Sequence, residues 1–348
     1  MYTAKHKTDL FLTLHLHMMR FNDINKVLIL SVAFLPLLGL YGCGQLASSQ
    51  KATNNVDLSQ VTVVLGDQVG GTRALVEAAN ALEGVPYKYK WASFQGAAPL
   101  FEALRVGAVD TAPAGDLPVL AAAVGKTPLK ILATRVGKGE GLGIIVHADS
   151  PIKGVADLKG KTVVVSSARG SVSQYQLYGA LEEVGLKRTD VTVKFVLPTD
   201  ASAAFSSKNI EVWATFDPYF YVAQQNGGRV LRDGQGINSG LSLITASDKA
   251  LADPGKRAAI ADFLKRLNKA SDWAIANPDG YAQVYAKLSR LPLNTSKSIT
   301  QRSARELRPV SDNDIRALQT VADRSYKDQI LPVQIEVRSI TDQSIWTK

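Results

Sequence analysis

The sequence has very few of the residues on which metal and thiol chemistry depend. One cysteine, Cys43, occurs in 348 residues, and three of the four histidines (His6, His15 and His17) precede it. The fourth, His147, lies in the apolar run GIIVHADS, where we expect a structural residue. After residue 43 the chain therefore cannot form a disulfide, a zinc cluster or a Cys-His pair.

The sequence also has no large excess of one charge and no block of basic residues. It carries 40 basic and 31 acidic residues, a formal net charge of +9. The first 43 residues contribute +2 of this, so the remainder has a net charge of +7. Nucleic-acid-binding proteins concentrate their basic residues in patches, so we expect no nucleic-acid partner. A mildly cationic chain is better suited to attract small anions.

Long hydrophobic runs are scarce as well. One run, VLILSVAFLPLLGLY at residues 27–41, is shorter than the about 20 residues that a membrane-spanning helix needs. Lys26 precedes it and the pair Gly-Cys43 follows it, the order found in secretory signal peptides. The stretch LYGC resembles a bacterial lipobox. We therefore predict that residues 1–43 are a signal peptide with a lipobox.

In this interpretation Cys43 is lipidated and anchors the protein to a membrane, in the periplasm or at the cell surface. Residues 44–58, which are small and polar, then form a flexible tether. The alternative is a plain signal peptide with an incidental cysteine, which would leave the protein without an anchor.

Short β-branched runs alternate with segments of helical periodicity from residue 61 onward. VTVVLG, YKYKWASF, TVVVSS and IEVWATF are each followed by apolar residues at helical spacing. This alternation predicts an α/β fold with mostly parallel sheets flanked by helices. The length that remains after residue 43 favours two lobes over one.

Two glycine-flanked strands are expected to connect the lobes. They occupy residues 141–148 and 238–247, and we predict that they run side by side as a two-strand hinge. The first lobe then comprises residues 59–142 and 242–348, and the second comprises residues 143–241. The C-terminal part is expected to contain three helices and a closing strand: 254–276, 278–289, 311–329 and LPVQIEV.

In open α/β sheets, ligands bind beyond the carboxyl ends of the strands, where loops lead into helix N-termini. The loops at these positions are DQVGGT, SFQGAAP, PAGDLP, SSARGS, LPTDAS and TFDP. Their small residues would let a ligand approach backbone amides at the positive ends of the helices. The candidate ligand-binding residues are Gly70, Gly71, Thr72, Phe94, Gly96, Ala97, Gly115, Asp116, Arg169, Gly170, Ser171, Asp217 and Tyr219.

Several of these residues have both a functional and a structural interpretation. Gly170 would expose backbone amides, Ser171 would offer a hydroxyl, and Arg169 would present a planar guanidinium to an oxyanion. The alternative is a capped helix with a solvated arginine. Asp217 would cap a helix, orient the ligand or bridge the lobes. Aromatic residues such as Tyr219 would line an apolar pocket or belong to the core.

Several motifs in this order resemble the substrate-binding proteins of aliphatic sulfonate ABC importers. They are ALRVGAVD at 103–110, SPIKGVADLKGK at 150–161, the pair Gly170-Ser171 and the triplet DPY at 217–219. The resemblance spans residues 60–330 and implies a periplasmic-binding-protein fold of the two-crossover type. It also implies a sulfonate or similar oxyanion in the cleft, and a membrane permease with its ATPase as partner.

Three positions depart from the pattern that the resemblance implies, and all three fall in the expected pocket. Asp116 stands where a glutamate is common, Gln174 where a histidine is common, and Phe216 where a tryptophan is common. The wider family includes binders of taurine, nitrate, bicarbonate, riboflavin and pyrimidine precursors, so these ligands stay open.

The resemblance therefore implies a monomeric binding protein of sulfur transport that has no cofactor and catalyses no reaction. A receptor that presents its ligand to a sensor is one alternative. The related thiamine-pyrimidine synthases are enzymes. The resemblance implies that their site is rich in cysteine and histidine, and residues 44–348 cannot supply such a site.

Overall fold

The structure, a computed structural model, describes residues 56–347. The predicted signal peptide with Cys43, and the predicted tether up to residue 55, lie outside the described residues. Between residues 56 and 347, no helix is both long and apolar enough to cross a membrane.

Strands and helices alternate as the sequence predicts. The strands are β1 (Thr62–Gln68), β2 (Lys88–Phe94), β3 (Thr111–Gly115), β4 (Leu129–Val136), β5 (Leu142–His147), β6 (Thr162–Val165), β7 (Thr192–Phe195), β8 (Val212–Phe216), β9 (Gly228–Asp233), β10 (Leu241–Ser247) and β11 (Leu307–Pro309). The helices are α1 (Gly71–Ala78), α2 (Ala97–Arg105), α3 (Asp116–Val124), α4 (Val172–Glu183), α5 (Pro198–Ser206), α6 (Tyr219–Gln225), α7 (Asp248–Ala252), α8 (Pro254–Ala276), α9 (Pro278–Ser289), α10 (Leu293–Ser303) and α11 (Asp312–Lys327).

The strands form two separate sheets. The first sheet has the order β11-β4-β10-β3-β1-β2, and the second has the order β7-β6-β8-β5-β9. Parallel pairs join β1 to β2 and β3, and β6 to β7 and β8. One helix connects β1 to β2 and β6 to β7, and a second helix leads on to β3 and to β8, which is the arrangement that the alternation predicts.

The expectation of mostly parallel sheets is wrong in detail, because both sheets are mixed. Strands β5, β10 and β11 pair antiparallel with their neighbours. Strands β5 and β10 enter their sheets from the other sheet and not through a βαβ crossover. The handedness and direction that a crossover imposes therefore do not apply to them.

The predicted pairing of the two glycine-flanked strands is also wrong. Strand β5 lies between β8 and β9 in the second sheet, whereas β10 lies between β3 and β4 in the first. The segments that lead into these strands, residues 137–141 and 234–240, run side by side instead. The Gly137 amide donates to the Gly240 carbonyl at 2.8 Å, and the Gly234 amide donates to the Gly139 carbonyl at 3.1 Å. We call these two segments the crossing segments.

The C-terminal helices largely follow the sequence prediction. Helices α8 and α9 have the predicted bounds, and α11 differs by one or two residues at its ends. Helix α10 was not predicted, and LPVQIEV forms no strand. Instead, β11 closes the edge of the first sheet beside β4.

Helix α8 covers one face of the first sheet. Its residues Ile260, Phe263, Leu264 and Leu267 are buried and recur at spacings of three and four, as an amphipathic helix requires. Burial of each such side chain contributes about 1.5–3 kcal/mol. This packing holds the carboxyl ends of the first sheet in a fixed place.

The crossing segments yield a prediction that separates backbone strain from close contact. Gly240 and Gly236 both have a left-handed backbone, with φ of 73° and 75°. A methyl group on Gly240 would lie 2.2 Å from the Gly137 carbonyl oxygen, whereas one on Gly236 would meet no atom within 4 Å. Gly236→Ala should lower the free energy of unfolding by about 1–2 kcal/mol. Gly240→Ala should cost about 1–3 kcal/mol more.

Denaturant unfolding of the two variants measures this difference. Equal losses for Gly240→Ala and Gly236→Ala would show that the crossing segments do not approach each other as described.

Candidate ligand-binding cleft

A cavity of about 700 Å³ lies where the carboxyl ends of strands from both sheets meet. Its lining comes from the loops after β1, β2 and β3 in the first sheet and after β6 and β8 in the second. The crossing segments contribute residues 137–141, and α9 and α10 contribute further side chains. This is the place at which open α/β sheets bind ligands.

Most of the candidate residues face this one cavity. Its lining includes Gly71, Thr72, Ala97, Gly115, Asp116, Arg169, Gly170, Ser171 and Asp217. Four candidates lie beside the lining and not in it: Gly70, Phe94, Gly96 and Tyr219. Tyr219 packs edge-on against Phe216, with ring centroids 6.2 Å apart. Phe216 lines the cavity together with Tyr281 and Tyr285, and Tyr219 packs against Phe216.

The start of α1 is already occupied by a side chain of the protein. The Asp67 carboxylate accepts hydrogen bonds from the amides of Gly70, Thr72 and Arg73 at 2.6–3.1 Å. Burial raises the pKa of Asp67, while these three amides oppose the rise. The amides of α1 that the sequence assigns to a ligand are therefore largely taken.

The start of α4 is closed in a similar way. The Ser171 hydroxyl accepts from the Gln174 amide at 3.2 Å, and the Gln174 side chain accepts from the Gly170 amide at 2.8 Å. Gln174 also donates to the Tyr178 hydroxyl at 3.2 Å. Gln174, one of the three departures from the family pattern, thus stabilises the loop from within.

Arg169 lines the cavity, but its guanidinium has partners outside it. It donates to the backbone carbonyls of Gln329 and Ile330, just beyond the end of α11. Helix C-termini carry partial negative charge, which favours a cation at this place. The predicted contact between Arg169 and an oxyanion stays a prediction, and the described contacts make Arg169 a link between α11 and the loop before α4.

Helix α2 differs from α1 and α4, because no side chain caps its start at Gly96. The first amides of a helix have no partner within the helix itself. Ala97 and Ala98, whose amides begin α2, both line the cavity. They are therefore available to a bound anion.

Asp116 is buried at the start of α3. Its carboxylate accepts a hydrogen bond from the Leu117 amide at 2.6 Å and another from the Ser239 hydroxyl. Burial raises the pKa of Asp116, while these hydrogen bonds oppose the rise. Asp116 thereby connects α3 to a crossing segment.

Asp217, which follows β8 of the second sheet, forms an ion pair with a residue of α10. Its carboxylate lies 2.7 Å from the Arg302 guanidinium in α10 and accepts from the Tyr221 amide at 3.1 Å. Arg302 also donates to the Glu140 carbonyl at 3.2 Å. Burial raises the pKa of Asp217 to about 7 even though Arg302 opposes the rise.

Arg135, which was not among the candidates, lines the cavity without an ion pair to any of the described residues. It lies near the carboxyl end of β4, and its Nε and Nη2 atoms are buried without a hydrogen-bond acceptor. Burial lowers the pKa of Arg135, and Tyr281 opposes this effect. The sequence could have indicated Arg135. The run LKILATR is a predicted buried strand whose last residue is this arginine, and ligands bind at the carboxyl ends of such strands.

Comparison with known proteins agrees with this geometry. The chain matches the NMT1/THI5-like family over residues 97–281. It is also 32% identical, over 74% of its length and 79% of the relative, to an Escherichia coli (strain K12) protein whose name gives it as a candidate aliphatic sulfonates-binding protein. The chain belongs to the NMT1/THI5-like family and to the family of aliphatic sulfonate-binding proteins. The family resemblance read from the sequence is therefore confirmed.

Solved structures confirm the fold as well. The alkanesulfonate-binding protein SsuA from Xanthomonas axonopodis pv. citri, bound to MOPS, is 27% identical and has a TM-score of 0.74. The match covers 81% of this chain and 98% of that one. The desulfurization enzyme DszB, at 16% identity and a TM-score of 0.58, shares the fold alone.

The burial of Asp217 generates a pH-dependent prediction. The folded state holds the Asp217 proton with a pKa of about 7, against a reference value of 3.8. This group therefore contributes fully to stability below pH 3.8, and its contribution is lost as the pH rises through about 7. At about 1.4 kcal/mol per pKa unit, the loss reaches up to about 4 kcal/mol.

Asp217→Asn should remove this component from the pH dependence of the free energy of unfolding. Asp200→Asn, which changes an exposed aspartate of α5, should leave the slope as in the unmodified protein. Denaturant unfolding across the interval provides the measurement. An unchanged slope in Asp217→Asn would contradict the raised pKa.

Proposed function

We propose that this protein captures an aliphatic sulfonate, or a similar small organic oxyanion, and delivers it to the membrane permease of an ABC importer. We further propose that residues 59–142 with 242–348 form one lobe and residues 143–241 the other. The two sheets support this division, because each draws its strands from one of the two parts. The ligand would then lie between the lobes.

The observation that carries this proposal is the guanidinium of Arg135 in the wall of the cavity. A buried cation without a partner is costly, and a bound anion would remove that cost. The volume of about 700 Å³ lies within the range of about 300–1,000 Å³ for small-molecule sites. An inorganic oxyanion would leave most of this space empty, so the volume favours an anion with an organic tail.

Charged and neutral donors would share the oxyanion. Arg135 would provide the charge, the amides of Ala97 and Ala98 would approach from α2, and the Ser171 hydroxyl would donate from the loop before α4. Phe216 would contact the apolar tail. Hydrogen bonds to charged groups contribute about 1.5–3 kcal/mol each. A few of them are enough for micromolar affinity, about 8 kcal/mol.

Closure of the two lobes around the ligand would complete the capture. The crossing segments provide the place for a hinge, since they are the two short glycine-rich connections between the sheets. The Asp217–Arg302 pair joins α6 to α10 and would help to hold the closed form. The closed form would then dock on the permease.

We propose binding without chemistry over an enzymatic role. His147, the one histidine in residues 56–347, donates a hydrogen bond from Nε2 to the Ile210 carbonyl and stacks on Phe205 with ring centroids 4.1 Å apart. It does not line the cavity. The described residues thus place neither a thiol nor an imidazole where the ligand would lie.

The relatives also support an extracytoplasmic location, since solved members of the family are named as periplasmic proteins. We propose that residues 1–43 direct export and that Cys43 carries a lipid. The lipid would keep a monomeric protein close to its permease.

A cell-fractionation experiment tests the anchor. In the expected outcome the unmodified chain sediments with membranes, and Cys43→Ser releases it to the soluble fraction, because a lipid chain needs the thiol. Ser48→Ala, in the predicted tether, is the control and should stay with membranes. Membrane association that survives Cys43→Ser would contradict the lipid anchor.

Calorimetry tests the binding function itself. We expect micromolar binding of an alkanesulfonate, no binding of the alkylammonium ion with the same tail, and weaker binding of nitrate and bicarbonate. The reason is that the wall of the cavity supplies an unpaired cation and room for a tail. Absence of heat with every alkanesulfonate, and no shift of the melting temperature, would reject the assignment.

A further inference from the structure

We infer that Arg135 sets the charge of the ligand, so that the cleft accepts an organic anion with one negative charge and rejects the dianion with the same tail. This inference rests on the proposed function and deepens it. It follows from the charged residues that line the cavity and from the partner that each of them has.

The backbone fixes Arg135 on both sides. Strand β4 lies between β10 and β11, and Arg135 is in register with Ser242 and Leu307. Its buried Nε and Nη2 atoms have no acceptor in the part of the chain that the structure describes. Burial raises the pKa of the neighbouring Tyr281, which keeps that hydroxyl neutral. Tyr281 therefore supplies no negative charge to Arg135.

Each of the other arginines of the lining has at least one acceptor or counter-ion, although the Nε and Nη2 atoms of Arg302 are also buried without a hydrogen bond. Arg302 pairs with Asp217 at 2.7 Å. Arg305 lies 3.7 Å from the Glu140 carboxylate and also donates to the carbonyls of Gln301 and Ala304. Arg169 donates to carbonyls beyond α11. Lys138 also belongs to the lining, but it is exposed and screened by water.

The acidic residues of the lining have partners as well. Asp217 and Glu140 face the two arginines just described, and Glu102 pairs with Arg105. Asp116 is held by Ser239 and Leu117, and its burial favours the protonated form. Above the pKa of Asp217, which is about 7, the carboxylate of Asp217 compensates Arg302, and the positive charge of Arg135 is left for the ligand. A second negative charge on the ligand would be buried without compensation.

A pair of ligands with the same tail tests the inference on the full chain. Hexanesulfonate carries one charge throughout, whereas hexylphosphonate changes from one charge to two as the pH rises through its second ionisation. Below that ionisation the two ligands should bind with similar affinity. Above it the phosphonate should bind at least about tenfold more weakly relative to the sulfonate. The sulfonate, whose charge does not change, reports the effect of Asp217 titration on a ligand with one charge at each pH.

Two variants assign the effect to Arg135. Arg135→Gln should weaken sulfonate binding by about a hundredfold, and it should raise the melting temperature without ligand because a buried unpaired charge is removed. Arg135→Lys should keep the preference for one charge at reduced affinity, since it retains the charge but loses the planar guanidinium. Arg316→Gln removes the same charge from an exposed position and should change neither quantity.

The outcomes distinguish the two levels of the account. If the dianion binds as tightly as the sulfonate, or if Arg135→Gln binds sulfonate normally, the charge rule is wrong while the binding function stands. If the unmodified chain binds no sulfonate, the proposed function and the charge rule both fail.

Discussion

A guanidinium removed from water without a counter-ion costs several kcal/mol, even after the protein relaxes around it. Two guanidinium nitrogens of Arg135, Nε and Nη2, are in this condition, although the residue as a whole is partly exposed. Its place in the first sheet, between two antiparallel neighbours, fixes its backbone. The packing of α8 on that sheet contributes stability that offsets the free-energy cost of this placement. The free protein thus holds a site whose electrostatic cost is recovered when an anion binds.

The rest of the cleft reduces competition for that anion. Asp67, Gln174 and Asp217 occupy helix N-termini that would otherwise attract it, and the remaining arginines have acceptors of their own. Among the helices whose starts were expected to hold the ligand through glycine loops, α2 and α3 begin at a glycine with no side-chain cap, and the start of α3 carries the Asp116 carboxylate. This arrangement concentrates the attraction for an anion on a small part of a large cavity, and it leaves room for an organic tail.

Much of the fold follows from local pattern. The β-branched runs and the helical spacing define β1 to β10 and most helices, because buried strands and amphipathic helices have distinct periods. The direction of β5 and β10 does not follow from pattern, since it depends on which sheet each strand joins. Helix α10 was missed because LNTSKSITQRS buries few side chains and shows little apolar periodicity.

The candidate site was predictable in place but not in chemistry. The rule that ligands bind at the carboxyl ends of the strands located the cavity. The same rule, applied to β4, would have included Arg135. Arg302 could not be found, because its pairing with Asp217 joins residues 85 positions apart through a helix that the pattern did not show. Likewise, the sequence does not reveal that the side chain of Arg169 turns toward the end of α11.

A crystal structure of the chain with a bound alkanesulfonate tests the central claim most directly. The account predicts a sulfonate oxygen within about 3 Å of the Arg135 guanidinium nitrogens, with the tail extending along the cavity toward Phe216. A sulfonate bound elsewhere, with the Arg135 guanidinium still lacking an acceptor, would contradict it.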